Sequence, residues 1–207
     1  MEREAMGASD ELPFACKCGS VTGVIEHANP QEGDRVVCHC VDCRDLVRHL
    51  GQEARVLDDL GGTDLYQSRC ARVKLQSGRD KLASLHMTEG KTLRWYASCC
   101  QSPLFNTYAN GRVPYVTTLL ANTDADKREI LLGDPIGHVF PQQATGDASG
   151  LRELSFARLM WRFFRRMLKD LVVGDRRRSA LFDAKTLEPI AKPRHLTLAE
   201  QQALGRA

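Results

Sequence analysis

With 207 residues, 43% of them hydrophobic and 27% charged, the chain has the composition of a folded protein. It is long enough for one domain with an extension, or for two small ones. A net charge of +3 supplies no global field toward nucleic acid or a membrane, and 6% aromatic content argues against single-strand nucleic-acid binding. No apolar run approaches the roughly 20 residues of a membrane span. The start, Met1-Glu2-Arg3-Glu4, is charged and no signal-peptide core follows it, so a cytoplasmic protein is expected. Thiols stay reduced there, and the 8 cysteines therefore read as metal ligands before disulfides.

Residues 1–13 read as a flexible polar tail. From Phe14 the pattern is short and strand-like, with a Cys-x-Cys-Gly turn, Val21 to Glu26, and Arg35-Val36-Val37 running into the densest cysteine group. Arg44 to Leu50 has helical spacing and ends at Gly51. Strands are expected at Leu65 to Gln67, Arg72 to Leu75, Ala83 to Met87, Leu93 to Tyr96 and Val113 to Leu120. The stretch from Gly133 to Gly150 is rich in glycine and proline and reads as loop. Residues 14–145 are thus expected to form a mainly β, zinc-binding domain, and residues 146–207 a C-terminal α-helical extension.

Within that extension an amphipathic helix is expected over about 152–173. Phe156, Met160, Phe163, Met167 and Leu171, then Phe164, Leu168 and Val172, recur at helical spacing. Its other face is basic, since nine basic residues stand against three acidic ones between Arg152 and Arg178. The expected arrangement packs the apolar face on the body or on a second copy, as in a homodimer, and leaves the arginines in solvent. Thr197 and Glu200 form a capping-box pattern that opens a short final helix.

Seven of the cysteines fall into three groups: Cys16 and Cys18; Cys38, Cys40 and Cys43; Cys99 and Cys100. Structural zinc takes four ligands at tetrahedral corners, commonly all thiolates. Cys16 and Cys18, followed by the permissive Gly19, supply half a site, with Cys99 and Cys100 as candidates for the remainder. Cys38, Cys40 and Cys43 can reach one ion from a single segment and leave a fourth position open, as in catalytic sites. Three thiolates make a poor activator of water and favour a soft incoming ligand, such as a thiol. Cys70 reads as a packed or surface thiol. His39 reads as facing solvent or bonding backbone, while His27, His49, His86, His138 and His195 have no ligand spacing.

The order Cys-x-Cys-Gly, Cys-His-Cys-x-x-Cys and a late cysteine pair before Ser102-Pro103-Leu104 resembles the glutathione-dependent formaldehyde-activating enzyme domain, shared with centromere protein V. The resemblance covers roughly residues 14 to 121. It implies a β-tent of small antiparallel sheets with zinc knuckles and one or two zinc ions. The first and third motifs would share a structural zinc and the middle motif would hold a second one near the substrate thiol. The implied activity is a carbon–sulfur lyase that joins formaldehyde to glutathione. The family's Cys-x-x-Cys would place a cysteine at Ala97, where this chain instead has Cys99 beside Cys100, and the glycine after the pair is replaced by Gln101. Adjacent cysteines strain the backbone if both sulfurs are to face one metal. The site is then completed by a rearranged turn, three-coordinate from protein, or absent.

Two functions follow. In the first, Cys38, Cys40 and Cys43 hold a working metal for a thiol adduct of a small aldehyde, with Asp42, His39 and Asp45 as nearby bases. Arg44, Arg48 and Arg94 would then be the groups available to the carboxylates of glutathione. In the second, both sites only stabilise the fold, and the basic helix docks a partner.

Overall fold

In the computed structural model, residues 10–90 and 92–206 are described, so most of the expected tail lies outside the described residues. The first strand nonetheless starts inside that tail. β1 (Leu12–Ala15) turns through Cys16 to Gly19 into β2 (Thr22–Ile25), and Leu12 and Phe14 are buried, which holds the segment to the body. Gly19 has φ of 72°, the left-handed conformation that glycine adopts without steric cost. β3 (Asp34–Cys38) is buried along its whole length and runs directly into α1 (Val41–His49). The one-turn α2 (Glu53–Val56), β4 (Thr63–Arg69), β5 (Val73–Ser77), β6 (Leu82–His86) and β7 (Thr92–Ala97) follow.

β8 (Ser102–Tyr108) was not anticipated, because Asn106, Thr107 and Pro103 mask its alternation. It pairs with both β7 and β9 (Tyr115–Leu119), so its polar residues are buried between partners. α3 (Ala125–Leu132), capped by Asp124, was also unanticipated, since its burial is confined to one end. The expected loop after Gly133 contains the two-residue β10 (His138–Val139). The chain then enters α4 (Phe156–Val173), β11 (Arg194–His195) and α5 (Leu198–Ala203), the last with the expected Thr197–Glu200 capping box.

The architecture is sheet-rich, with antiparallel sheets and a C-terminal helix, as expected. β1, β2 and β5 form a three-stranded sheet, and the larger sheet runs β10-β3-β4-β9-β8-β7-β6-β11. Among the described strands the ladders are antiparallel except at the two-residue edge strands β10 and β11, which pair in parallel with β3 and β6. Trp95, Phe105, Leu93 and Leu120 pack with Leu12, Phe14 and Ile25 between the sheets. Leu181 and Phe182, from the segment after α4, close this core, and the Phe182 ring stands edge-on to Trp95.

α4 lies on the body through a mixed face, with Leu159 and Phe163 beside Arg162, Arg166 and Asp170, so not all of its arginines stand in solvent as expected. Asp34, buried at the start of β3, accepts from Arg162 Nε at 2.8 Å and from Arg166. Arg69, itself buried, is clamped between Glu32 and the buried Asp170 of α4. A buried carboxylate or guanidinium is tolerated only when paired, so these ions choose the face that docks. Leu159 and Phe163 add the apolar contacts, the latter edge-on to Tyr115 at 4.9 Å. Trp161, Phe164, Leu168 and Val172 are left on the outside.

Candidate metal centre

Two hairpin turns from different sheets meet at the first cysteine cluster. The β1–β2 turn carries Cys16 and Cys18, and the β7–β8 turn carries Cys99 and Cys100. The Cys16 sulfur lies 3.6 Å from that of Cys18 and 3.9 Å from that of Cys99; Cys18 and Cys99 are 3.3 Å apart, and Cys99 and Cys100 are 3.9 Å apart. Thiolates at tetrahedral corners about 2.3 Å from zinc stand about 3.8 Å from one another, so the donor set fits such an ion. Both adjacent cysteines bring a sulfur into the group, all four lying within 4.8 Å of one another. Ala97 stays in β7, where its carbonyl accepts from Cys100 N–H, and the reversal falls on Gln101, which has φ of 56°. That left-handed conformation costs a side chain with a Cβ about 1–2 kcal/mol.

Hydrogen bonds support this cluster. Val21 N–H donates to the Cys16 sulfur at 3.3 Å, and the Cys100 sulfur stands 3.2 Å from Ser102 Oγ. Ser20, through its side chain and then its backbone, followed by Cys99, holds the exposed Cys18 thiol down to about 6. The two turns are also joined directly, because Lys17 N–H donates to Ser102 Oγ at 2.9 Å.

The second cluster comes from one continuous segment. Cys38 ends β3, Cys40 is the N-cap of α1, and Cys43 sits in its first turn, with all three sulfurs within 4.8 Å of one another. Cys43 N–H donates to the Cys40 sulfur at 3.4 Å, so the cap group is itself a candidate ligand. The helix N-terminus favours negative charge at this sulfur. Cys38 and Cys43 are buried, unlike Cys18 and Cys99.

Arg94, projecting from β7, is buried with Nη1 3.5 Å from the Cys43 sulfur and Nη2 3.9 Å from Asp42. Arg94 is thus a buried cation on the wall of the cavity beside the sulfurs. A guanidinium cannot shed its proton in a protein, so its burial demands a nearby anion. The nearest carboxylate, Asp42, is already hydrogen-bonded to Arg206 at 2.7 Å, which leaves the cysteine sulfurs as the compensating charge. Hydrogen bonds with Cys38 and Cys40, and after them Arg94, pull the Cys43 thiol well below its usual range against the opposing effect of burial. Cys40 and Cys43 push Cys38 up. This donor set, with a buried cation against it, fits a divalent ion on three thiolates.

The three sulfurs open on a cavity of about 250 Å³. β8 and β9 supply Asn106, Thr107, Tyr108, Tyr115 and Thr117 to its wall, and α4 lays Phe156 and Met160 across it. Sequence reasoning missed the β8 residues because the strand itself went unread.

The other expected site residues sit elsewhere. Strand alternation sends His39 to the opposite face from Cys38, fully buried, with Nε2 3.0 Å from His138 Nδ1. Burial, then His39, lowers the His138 imidazole. His39 thus meets backbone as expected, with Nδ1 3.4 Å from the Leu60 carbonyl oxygen, and has His138 as a second partner. Asp45 is buried and accepts from Arg206 Nε at 2.7 Å. Arg44 donates to the Gln143 carbonyl, and Arg48 is 3.8 Å from Asp45. Cys70 is buried and its thiol donates to the Tyr115 carbonyl at 3.1 Å; burial pushes that thiol up. His86 stacks on His195, and His49 lies 3.7 Å from Glu200.

No helix among the described residues is long and apolar enough to cross a membrane. A crystal structure of a Rhodobacter sphaeroides protein, a structural-genomics target, is similar at 14% identity and a TM-score of 0.39. That similarity covers 58% of this chain and 97% of the other. No curated protein matches the sequence. Residues 8–192 match the profile of a family described as of unknown function (DUF6151), and the chain belongs to that family.

Proposed function

We propose that the chain holds zinc in two thiolate centres and uses the three-cysteine centre on a thiol adduct of a small aldehyde. The function would be that of a carbon–sulfur lyase or carrier related to the glutathione-dependent formaldehyde-activating enzymes. The observation that carries this reading is the contrast in ligand number together with the cavity. Four sulfurs would complete the shell of one ion, whereas three would leave a position open, and those three border a cavity. Zinc on three thiolates supplies Lewis acidity and an affinity for a fourth, soft ligand.

The chain's own residues set the surroundings. Arg94 balances the excess negative charge of three thiolates on a divalent ion, and Phe140, Phe156 and Met160 give the cavity an apolar lining. Addition of a thiol S–H across an aldehyde C=O forms one carbon–sulfur bond and leaves the proton on oxygen, so no oxidant or reductant is needed. A small thiol such as glutathione is the substrate class that the motif resemblance supports.

A second reading is a zinc-stabilised binding module without chemistry. It is favoured by the state of the three candidate bases. Arg206 occupies Asp42 and Asp45, and His138 occupies His39. Zinc analysis of the purified protein should give two ions per chain. Carbon-13 exchange spectroscopy on formaldehyde and glutathione should then show faster interconversion of adduct and free aldehyde in its presence. Unchanged exchange with both ions loaded would remove the lyase reading and leave the module.

A further inference from the structure

The outward face of α4 belongs to neither centre. Trp161, Phe164, Leu168 and Val172 are 71%, 48%, 59% and 86% exposed, and with the exposed Leu171 they form one stripe along the helix. A contiguous aromatic and aliphatic patch of this kind on a folded protein marks an interaction surface. Its exposure follows from the ion pairs beneath, because Arg162, Arg166 and Asp170 have taken the inward face.

Along α4 the charge bordering the stripe has one sign. Arg158 and Arg165 are exposed along one edge and make no ion pair among the described residues. Past the end of the helix at Gly174, Arg177 is exposed and Arg178 pairs with Asp175. The single acidic residue of α4, Asp170, is buried against Arg69 on the opposite side. The face is therefore a convex apolar ridge with a cationic rim.

We propose that this face lies on an anionic phospholipid surface, with Trp161, Phe164, Leu168, Leu171 and Val172 entering the acyl boundary and Arg158 and Arg165 on the phosphates. Interfacial helices combine these two features, apolar burial and basic residues that reach lipid headgroups. The helix rests on the surface and does not span it, in keeping with the absence of a crossing helix among the described residues. Charge disfavours a second copy as the occupant, since two copies laid antiparallel along the stripe set their Arg165 side chains against each other. The inference is independent of the metal reading, because no cysteine takes part.

The chain carries its own reporter. Of its two tryptophans, Trp95 is fully buried and Trp161 is exposed, so a change in emission on docking arises at the stripe. The full-length protein is mixed with vesicles of phosphatidylcholine, with or without phosphatidylserine. Expected are co-sedimentation and a blue shift only with phosphatidylserine, both weakening as salt rises. R158Q with R165Q should lower partitioning about 30-fold, from the loss of two basic contacts. L168Q with V172Q, at exposed positions, should abolish the blue shift while circular dichroism and melting stay as in the parent. Absence of binding to phosphatidylserine vesicles overturns the proposal. So does a blue shift without vesicles accompanied by a doubled mass in light scattering, which would give the stripe to a second copy, or full binding by the double glutamine variant at the arginines.

Discussion

The two cysteine clusters solve the same chemical problem in opposite ways. The first recruits two pairs of cysteines from turns 83 residues apart, stays near the surface and offers four sulfurs. The second takes three cysteines from a six-residue segment, is buried, and answers the missing fourth sulfur with a guanidinium and a cavity. A cluster that joins two sheets from a distance derives its importance from topology, since releasing it separates the hairpins it ties. A cluster within one segment ties nothing distant together, so its burial and its cation matter to what happens at the sulfurs.

The largest expected effect falls on the first cluster. Cys16→Ser should remove one equivalent of zinc and destabilise the whole chain by several kcal/mol, because metal binding at such a site is itself folding free energy. Cys43→Ser should also remove one equivalent while leaving most of the melting temperature intact. Thermal melts with parallel metal analysis check both, and equal destabilisation by the two variants would erase the contrast. Next in size is Arg94→Met, which keeps the volume and removes the charge. Leaving the sulfurs uncompensated in a buried site should cost about 3–5 kcal/mol at that centre. Chelator competition should show weaker binding of one metal equivalent only, and cobalt substitution should show a shifted thiolate charge-transfer band. Arg94→Lys should restore part of both.

A smaller change tests the roof. Asp34→Asn leaves Arg162 and Arg166 without their carboxylate and should weaken the docking of α4 by about 2 kcal/mol, the range of a charged hydrogen bond. Phe156 and Met160 would then cover the cavity less well. Alkylation of the metal-free protein, mapped by mass spectrometry, should accelerate at Cys38, Cys40 and Cys43 but not at Cys16 or Cys99.

The smallest effect is a pH response at the C-terminus. The hydrogen bond with Arg194, then the Thr197 backbone, lowers Glu200 from 4.5 to about 2. A carboxylate whose folded-state pKa is depressed stabilises above its unfolded value and loses that contribution as pH falls. Between pH 4.5 and 2, α5 should therefore loosen, and with it the Arg206 contacts to Asp42 and Asp45 on the helix that carries Cys43. Hydrogen exchange should rise over 198–206 in that window, while the first cluster's turns stay protected.

Much of this was legible before folding. The cysteine spacings named both clusters, the turn at Gly19 was visible from its residue type, and the amphipathic pattern located α4. What the pattern concealed has specific causes. β8 hid because its buried Asn106 donates to Thr117 on β9 and its buried Thr107 accepts from Trp95 on β7, and no local alternation records partners on neighbouring strands. Cys99 looked misplaced because the Cys-x-x-Cys spacing of the resembled motif pointed to Ala97, whereas the folded turn brings the Cys99 sulfur beside Cys16 and Cys18. Arg94 looked like any strand arginine until Cys43, 51 residues earlier, was beside it.

Taken alone, the sequence determined which residues could bind a metal, because ligand chemistry is a property of side-chain type and close spacing. It also determined that a long amphipathic helix would form near the C-terminus, since helical periodicity is local. Only the tertiary structure decided that two adjacent cysteines share a cluster with Cys16 and Cys18, that a buried guanidinium faces the three-cysteine group, and which side of α4 looks outward. Each of those depends on contacts between residues far apart in the chain. For α4 the deciding force was the need to pair buried charges at Asp34 and Arg69, which outweighed the preference of its apolar stripe for the interior.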